Sequence, residues 1–67
     1  MIDQMAPEGK FRVIGVDTFE GPCADYLVGD YGTLAEAAGA CAKEGGAMNP
    51  AYVYDDTGKL RLQAGSF

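Results

Sequence analysis

The chain has 67 residues and a formal net charge of -5, from ten acidic and five basic side chains. This length allows one domain with a small core, and the hydrophobic fraction of 48% is typical of a folded protein. The negative charge repels phosphate backbones and disfavours general nucleic-acid binding, while it is compatible with a basic partner. Histidine is absent, which removes the commonest general base and the commonest metal ligand.

The first nine residues contain Pro7 and Gly9 and show no hydrophobic periodicity. We predict that residues 1–9 form a flexible leader in front of a single domain over residues 10–67. The leader has neither the basic start nor the apolar run of a signal peptide, and no apolar stretch in the chain is long enough to span a membrane. A cytoplasmic location is therefore expected.

Hydrophobic patterns and turn residues predict five regular elements. Thr33 and Glu36 form a Thr-x-x-Glu capping box, which starts a helix at Leu34, and Gly45 and Gly46 end it. Runs of aromatic and β-branched residues separated by turns predict four strands. In chain order, the predicted elements are a strand at Lys10–Asp17, a strand at Ala24–Tyr31, the helix at Leu34–Glu44, a strand at Ala51–Asp55 and a strand at Leu60–Ala64.

This ββαββ order predicts an α+β fold, in which one helix packs on one face of a mainly antiparallel four-stranded sheet made of two hairpins. The order of the strands in the sheet stays open. The apolar stripe of the helix is small, so the helix is expected to lie close to the sheet while the strands supply most of the core volume. The stripe consists of Leu34, Ala37, Ala38, Cys41 and Ala42.

The two cysteines, Cys23 and Cys41, have two interpretations. In the first, both are small buried hydrophobic residues in a reducing compartment. In the second, a disulfide joins the start of a strand to the helix, which requires an oxidising compartment. Neither is expected to be a nucleophile, because Cys41 lies on the apolar stripe and acidic residues near Cys23 disfavour a thiolate.

No catalytic, metal-binding or cofactor-binding residue is predicted, and we expect that the protein is not an enzyme. The acidic run Asp55-Asp56-Thr57-Gly58 has the composition of a tight turn and lacks the ligand spacing of a calcium loop. The glycines do not form a phosphate-binding motif. A small enzyme or ligand carrier remains a third hypothesis that a pocket would support.

The faces of the strands can be assigned conditionally. Val53 alternates with Tyr52 and Tyr54 in the third strand, while Leu60 and Leu62 alternate with polar residues in the fourth. If Val53 and the two leucines face the helix, the two tyrosines lie on the face that the helix leaves uncovered.

An uncovered apolar and aromatic face is a typical contact surface. The second strand adds two residues to this face. These are either Tyr26 and Val28, the pair chosen here, or Leu27 and Tyr31. The tyrosines have a second interpretation, in which their rings lie at the sheet edge with hydrated hydroxyls. The candidate interaction surface consists of Tyr26, Val28, Tyr52 and Tyr54.

A candidate basic patch arises if the first and fourth strands are neighbours. Lys10 and Arg12 share one face of the first strand, and Lys59 and Arg61 share one face of the fourth. Together with nearby tyrosines they would resemble a platform for single-stranded nucleic acid. The alternative is cross-strand pairing of these cations with acidic neighbours on a hydrated face, which the net charge favours.

The run Tyr31–Ala37, a strand end followed by Thr-x-x-Glu-Ala, resembles the start of the helix in HicB-like antitoxin domains. A capping box produces the same pattern. No functional residue is carried over from this resemblance.

Two functions from different classes follow. The first is a non-enzymatic interaction module that forms a homodimer or docks another protein through the uncovered sheet face. The alternative is a weak binder of single-stranded nucleic acid that uses the strand lysines, arginines and tyrosines.

Overall fold

The computed structural model describes residues 3–16, 25–46 and 49–65. The elements are β1 (Phe11–Val16), β2 (Asp25–Tyr31), α1 (Leu34–Glu44), β3 (Ala51–Tyr54) and β4 (Leu60–Ala64). Within the described residues, one helix packs on a four-stranded sheet whose three strand pairs are all antiparallel. The predicted α+β fold with ββαββ order is confirmed.

The strand order in the sheet is β2-β1-β3-β4. The two strands of each predicted hairpin pair with each other, β1 with β2 and β3 with β4. The two hairpins are joined by pairing between β1 and β3. β1 and β3 are therefore the central strands, while β2 and β4 form the edges.

The predicted capping box begins α1. The Oγ1 atom of Thr33 accepts a hydrogen bond from the backbone N–H of Glu36 at 3.2 Å and donates one to the Glu36 carboxylate at 3.1 Å. At the other end, the Gly45 N–H donates to the carbonyl of Cys41, and the Asn49 side chain donates to the carbonyl of Glu44 at 3.0 Å. Both ends of the helix thus have partners for groups that the helix itself leaves unpaired.

No helix of the described residues is long and apolar enough to cross a membrane.

The core lies between α1 and the central strands. The apolar stripe is correctly predicted at Leu34, Ala37 and Cys41, but Ala42 is exposed and Ala40 packs against the core in its place. The difference is a rotation of the helix about its axis, because residues 37, 40 and 41 lie on one side of an α-helix. The fully buried cluster consists of Val13, Ala37, Cys41, Ala51 and Val53.

A bulge in the β3–β4 pair overturns one predicted face. Val53 pairs with Leu62, but Tyr54 pairs with Leu60, so Arg61 is the extra residue. Paired residues point to the same side of a sheet, and the bulge therefore places Leu62 on the helix side and Leu60 on the opposite side. The condition that Val53 and both leucines face the helix thus holds for Val53 and Leu62 and fails for Leu60.

Residues 3–9, predicted to be a loose leader, lie against the end of the sheet. Ala6 is 4% exposed, and its N–H donates to the carbonyl of Asp55 at 3.1 Å. The Gly9 N–H donates to the Asp56 carboxylate at 2.9 Å. These contacts extend the packed structure N-terminally beyond the boundary predicted at Lys10.

Asp55 organises the turn between β3 and β4. Its Oδ1 atom accepts hydrogen bonds from the N–H and hydroxyl of Thr57 and from the N–H of Lys59, at 2.6 to 3.0 Å. Arg61 adds a longer contact of 3.4 Å to Oδ2. These hydrogen bonds, with that from the Thr57 hydroxyl foremost, hold the pKa of the Asp55 carboxyl well below its ordinary value.

We predict that Asp55 makes the stability of the domain sensitive to acid. The pKa of Asp55 is lower in the folded state than in the unfolded chain. Its carboxylate therefore contributes fully to the free energy of unfolding above the ordinary pKa of about 4, and this contribution is lost as the pH falls from there towards the folded-state pKa. Asp55→Asn should therefore be less stable than the wild type at neutral pH, and the difference should shrink in acid. Urea denaturation at a series of pH values measures both effects.

Glu8→Gln is the matched control, because Glu8 is exposed and its carboxylate makes no hydrogen bond to another described residue. It should follow the wild-type pH profile. An Asp55→Asn profile parallel to that of the wild type would refute the role given to this carboxylate.

Replacing either of two glycines by alanine should change the stability of the domain, in opposite directions. Gly65 has a φ of 81°, and a Cβ atom there would lie 2.6 Å from the backbone nitrogen of Gly46. Gly65→Ala should cost about 1–3 kcal/mol of unfolding free energy, because it combines backbone strain with a backbone clash. Gly39 lies in α1 with open space around its Cβ position, so Gly39→Ala should stabilise by about 0.5–1 kcal/mol. Chemical denaturation of both variants checks the two signs, and equal effects would contradict the packing at Gly65.

Candidate functional site

The sheet face that points away from α1 is here called the open face, because no helix or strand of the described residues lies on it. Its composition follows from the strand register, in which paired residues share a face. One row across the sheet consists of Leu27, Ile14, Tyr52 and Gln63. The next row consists of Asp30, Arg12, Tyr54 and Leu60.

The centre of the open face is apolar and aromatic. Ile14 lies on a central strand and is only 4% exposed, although it belongs to no part of the cluster beneath α1. Its register partners are Leu27, which is 48% exposed, and Tyr52. The rings of Tyr52 and Tyr54 lie 6.3 Å apart at an angle of 39°, so they form one aromatic surface. Burial raises the pKa of the Tyr54 phenol, and the neighbouring Tyr52 raises it further.

A charged pair borders this centre. Arg12 binds Asp30 through two hydrogen bonds, Nε to Oδ1 at 2.7 Å and Nη2 to Oδ2 at 3.1 Å. The same guanidinium donates to the backbone carbonyl of Asp3 at 2.9 Å. The hydrogen bond from Arg12 lowers the pKa of Asp30, and the hydrogen bond to Asp30 raises that of Arg12. Both groups therefore stay ionised and neutralise each other at physiological pH.

The structure separates the four residues of the candidate interaction surface. Tyr52 and Tyr54 lie on the open face as predicted, but Tyr26 and Val28 lie on the helix side. Tyr26 pairs with Gly15, and its ring fills the space that a Cβ atom of Gly15 would occupy. Val28 packs against the core cluster. The placement of these two residues on the face of the tyrosines is therefore wrong.

A second bulge explains the error. The pairing shifts between Val13 and Ile14, so that Val28 is the extra residue of β2. Alternation along β2 breaks at this point, and Leu27 lies on the open face while Tyr31 packs against the core. The alternative pair from β2 is thus also split.

Three apolar residues of the open face are absent from the four-residue predicted surface, namely Ile14, Leu60 and Leu27, of which Leu27 belongs to the alternative pair. Ile14 could have been found from alternation, because it follows Val13 directly and one of the two must face away from the helix. The positions of Leu27 and Leu60 depend on the two bulges, for which the sequence offers no local signal.

The four cations of the candidate basic patch do not form one surface. β3 lies between β1 and β4, which separates Arg12 from Arg61. Each arginine is paired with an aspartate, Arg12 with Asp30 and Arg61 with Asp55. Lys10 and Lys59 are exposed. Pairing of the arginines with acidic neighbours is therefore the arrangement found.

We predict that the wild-type protein does not bind single-stranded oligonucleotides, even at low salt. The arginines are neutralised by aspartates, and the net charge of the chain opposes the approach of phosphate groups. Fluorescence anisotropy of a labelled oligonucleotide measures this. Asp30→Asn, which releases Arg12 from its partner, is the informative comparison, and salt-dependent binding by the wild type would contradict the prediction.

Both edge strands carry features that oppose the addition of another strand. Each contains one of the two bulges, at Val28 in β2 and at Arg61 in β4. β4 also places charged Arg61 within the edge and Lys59 immediately before it. Bulges and edge cations are devices that block pairing between sheets. The faces of the sheet are therefore better suited to association than its edges.

The described residues also define the surroundings of one cysteine. Cys41 is 2% exposed with a free thiol, and its Sγ atom lies 3.3 Å from the carbonyl oxygen of Ala51. Burial raises the pKa of the thiol, so Cys41 stays protonated and unreactive at neutral pH. Cys23 lies outside the described residues. No group of three or more potential metal ligands occurs among the residues that the structure describes.

No family model matches the chain, no curated protein shows significant similarity to its sequence, and no solved structure shows significant similarity to its fold. The short resemblance of Tyr31–Ala37 to the helix start of HicB-like antitoxins is accounted for by the capping box of Thr33 and Glu36.

Proposed function

We propose that the protein is a cytoplasmic, non-enzymatic interaction module, which binds a second copy of itself or another protein through the open face. The observation that carries this proposal is the group of apolar side chains around the buried Ile14 on the side of the sheet opposite α1. Leu27, Tyr52 and Leu60 lie there at least partly exposed. A chain with a core this small gains from every apolar group it buries, yet it leaves Leu27 and Leu60 nearly half exposed.

The layout of the open face agrees with that of known protein interfaces. Such interfaces have an apolar, aromatic centre surrounded by a polar rim, with tyrosine and arginine enriched. Here the centre is Ile14 with the two tyrosines, and the rim contains the Arg12–Asp30 pair and Gln63. The rim ion pair is already formed, so little ordering entropy is lost there on binding.

The edges of the sheet give further support for face-to-face binding. A partner that added a strand would need the backbone groups of β2 or β4, and a bulge interrupts each strand. A partner that packs on the open face needs only side chains, and every second residue of each strand already points to that face.

Site-specific photocrosslinking tests the proposal. A photoreactive phenylalanine analogue in place of Tyr52 should give discrete crosslinked species in cells that produce the protein, because position 52 lies at the centre of the open face. Mass spectrometry of each species identifies the partner.

The same analogue in place of Ala42 is the control, because Ala42 is exposed on α1, on the other side of the molecule. It should give no discrete species. Crosslinks from Ala42 but not from Tyr52, or none from either position, would refute binding through the open face.

A further inference from the structure

The segment in front of β1 folds back over one end of the sheet, and residues 3–9 are here called the strap. The Lys10 N–H donates to the carbonyl of Pro7 at 2.9 Å, which reverses the chain just before β1. From this turn the strap reaches the β3–β4 turn, where the Ala6 N–H donates to the carbonyl of Asp55. The strap therefore crosses the sheet from β1 to the end of β3.

Arg12 places the far end of the strap on the open face. Its side chain belongs to this face by register, yet it is only 16% exposed, whereas Leu27 and Leu60 on the same face are nearly half exposed. Its Nε and Nη2 atoms bind the Asp30 carboxylate, and its Nη1 atom donates to the Asp3 carbonyl at 2.9 Å. The strap thus occupies the end of the open face at which Arg12 lies.

The strap is attached by few contacts. Among the described residues, three hydrogen bonds join it to the sheet and to the β3–β4 turn, through the Asp3 carbonyl, the Ala6 N–H and the Gly9 N–H. Ala6 is buried, while the other six residues of the strap are exposed and form no helix or strand. Segments with so little burial open locally at a small fraction of the free energy of global unfolding.

Opening of the strap leaves the groups that it contacts with other partners. The Asp55 carbonyl also accepts a hydrogen bond from the Gly58 N–H at 3.0 Å, so the β3–β4 turn keeps its closing contact. Arg12 keeps both hydrogen bonds to Asp30. Its Nη1 atom becomes free to donate to an oxygen atom of another molecule, and arginine is among the residues that contribute most to protein interfaces.

We infer that the strap is an autoinhibitory element, which competes with a partner protein for the Arg12 end of the open face. This inference rests on the proposed function and adds its regulation. The closed strap satisfies Arg12 with a backbone carbonyl of the chain itself, and a partner that covers this end must displace it. The apparent affinity for the partner is therefore reduced in proportion to the fraction of molecules in which the strap is open.

The structure offers a variant that locks the strap. The Cβ atom of Met5 lies 4.0 Å from the position of a Cβ atom at Gly58, within the range of about 3.5–4.5 Å found in disulfides. Met5→Cys combined with Gly58→Cys should therefore hold the strap closed when oxidised and release it when reduced. Peptide mapping checks that the disulfide joins positions 5 and 58, and the reduced form is the control for both substitutions.

A second variant releases the strap. Ala6→Pro removes the N–H that binds Asp55 and should leave the rest of the domain folded, which circular dichroism checks. Glu8→Pro is the matched control, because Glu8 and Gly9 are the central residues of the turn that the Lys10 N–H closes. Gly9 has a φ of 76°, as at the third position of a type II turn, and proline is favoured at the position before it.

Amide hydrogen exchange of the purified full chain, followed by NMR, tests the opening. In the wild type, the Ala6 and Gly9 amides should exchange at least about tenfold faster than the protected amides of β1 and β3, and the oxidised lock should slow them. Exchange of Ala6 and Gly9 at the same rate as the central strands would overturn the inference, because the strap would then open only when the whole domain unfolds.

Crosslinking tests the competition. Each purified variant carries the photoreactive analogue in place of Tyr52 and is irradiated in an extract of the producing cells. Relative to the wild type, Ala6→Pro should raise the yield of discrete crosslinks about threefold to tenfold, and Glu8→Pro should leave it unchanged. The oxidised lock should lower the yield by a similar factor, and a reductant should restore it.

The outcomes separate the inference from the proposed function. Crosslinks of equal yield from the locked, released and wild-type chains would overturn the autoinhibitory role and leave binding through the open face standing. If no variant gives discrete crosslinks, including the released one, the proposed function fails and the regulation of that function fails with it.

Discussion

Close packing of α1 on one face of the sheet is the constraint on which the rest of the structure depends. Ala37 and Cys41 are small, so the helix backbone approaches the central strands closely and buries Val13 and Val53 completely. The buried layer is thin as a result. A single helix covers one face of a sheet, and the chain supplies no second helix among its described residues. The open face therefore follows from the small number of elements in the part of the chain that the structure describes.

Polar and backbone contacts at the two ends of the sheet compensate for this thin core. At one end, Asp55 fixes the β3–β4 turn through its carboxylate and holds Ala6 through its carbonyl. At the other end, Asn49 donates to the last turn of α1 and to the hydroxyl of Tyr26. Two of these contacts, Ala6 with Asp55 and Asn49 with Tyr26, join segments that are distant in sequence. Such contacts matter most in small domains, where apolar burial alone is marginal.

The features that could be predicted from the sequence are those decided by a few neighbouring residues. The capping box at Thr33 and the turn at Gly58 are local signals, and the starts of α1 and β4 were predicted correctly from them. The two bulges could not be predicted, because an extra residue at Val28 or Arg61 reflects the register with a partner strand. Half of the predicted interaction surface was misplaced for this reason. The docking of residues 3–9 was missed as well, because it depends on backbone groups of the β3–β4 turn.

The strand order has a consequence for how the chain folds as it is synthesised. β1 pairs with β2, which follows it closely, but its other neighbour in the sheet is β3, which comes after the helix. The β1–β2 hairpin therefore emerges from the ribosome first, and an isolated hairpin is only marginally stable in water. Until β3 arrives, the inner edge of β1 has no strand to pair with. The nascent chain thus gains its central pairing late, and this long-range contact is expected to limit the rate of folding.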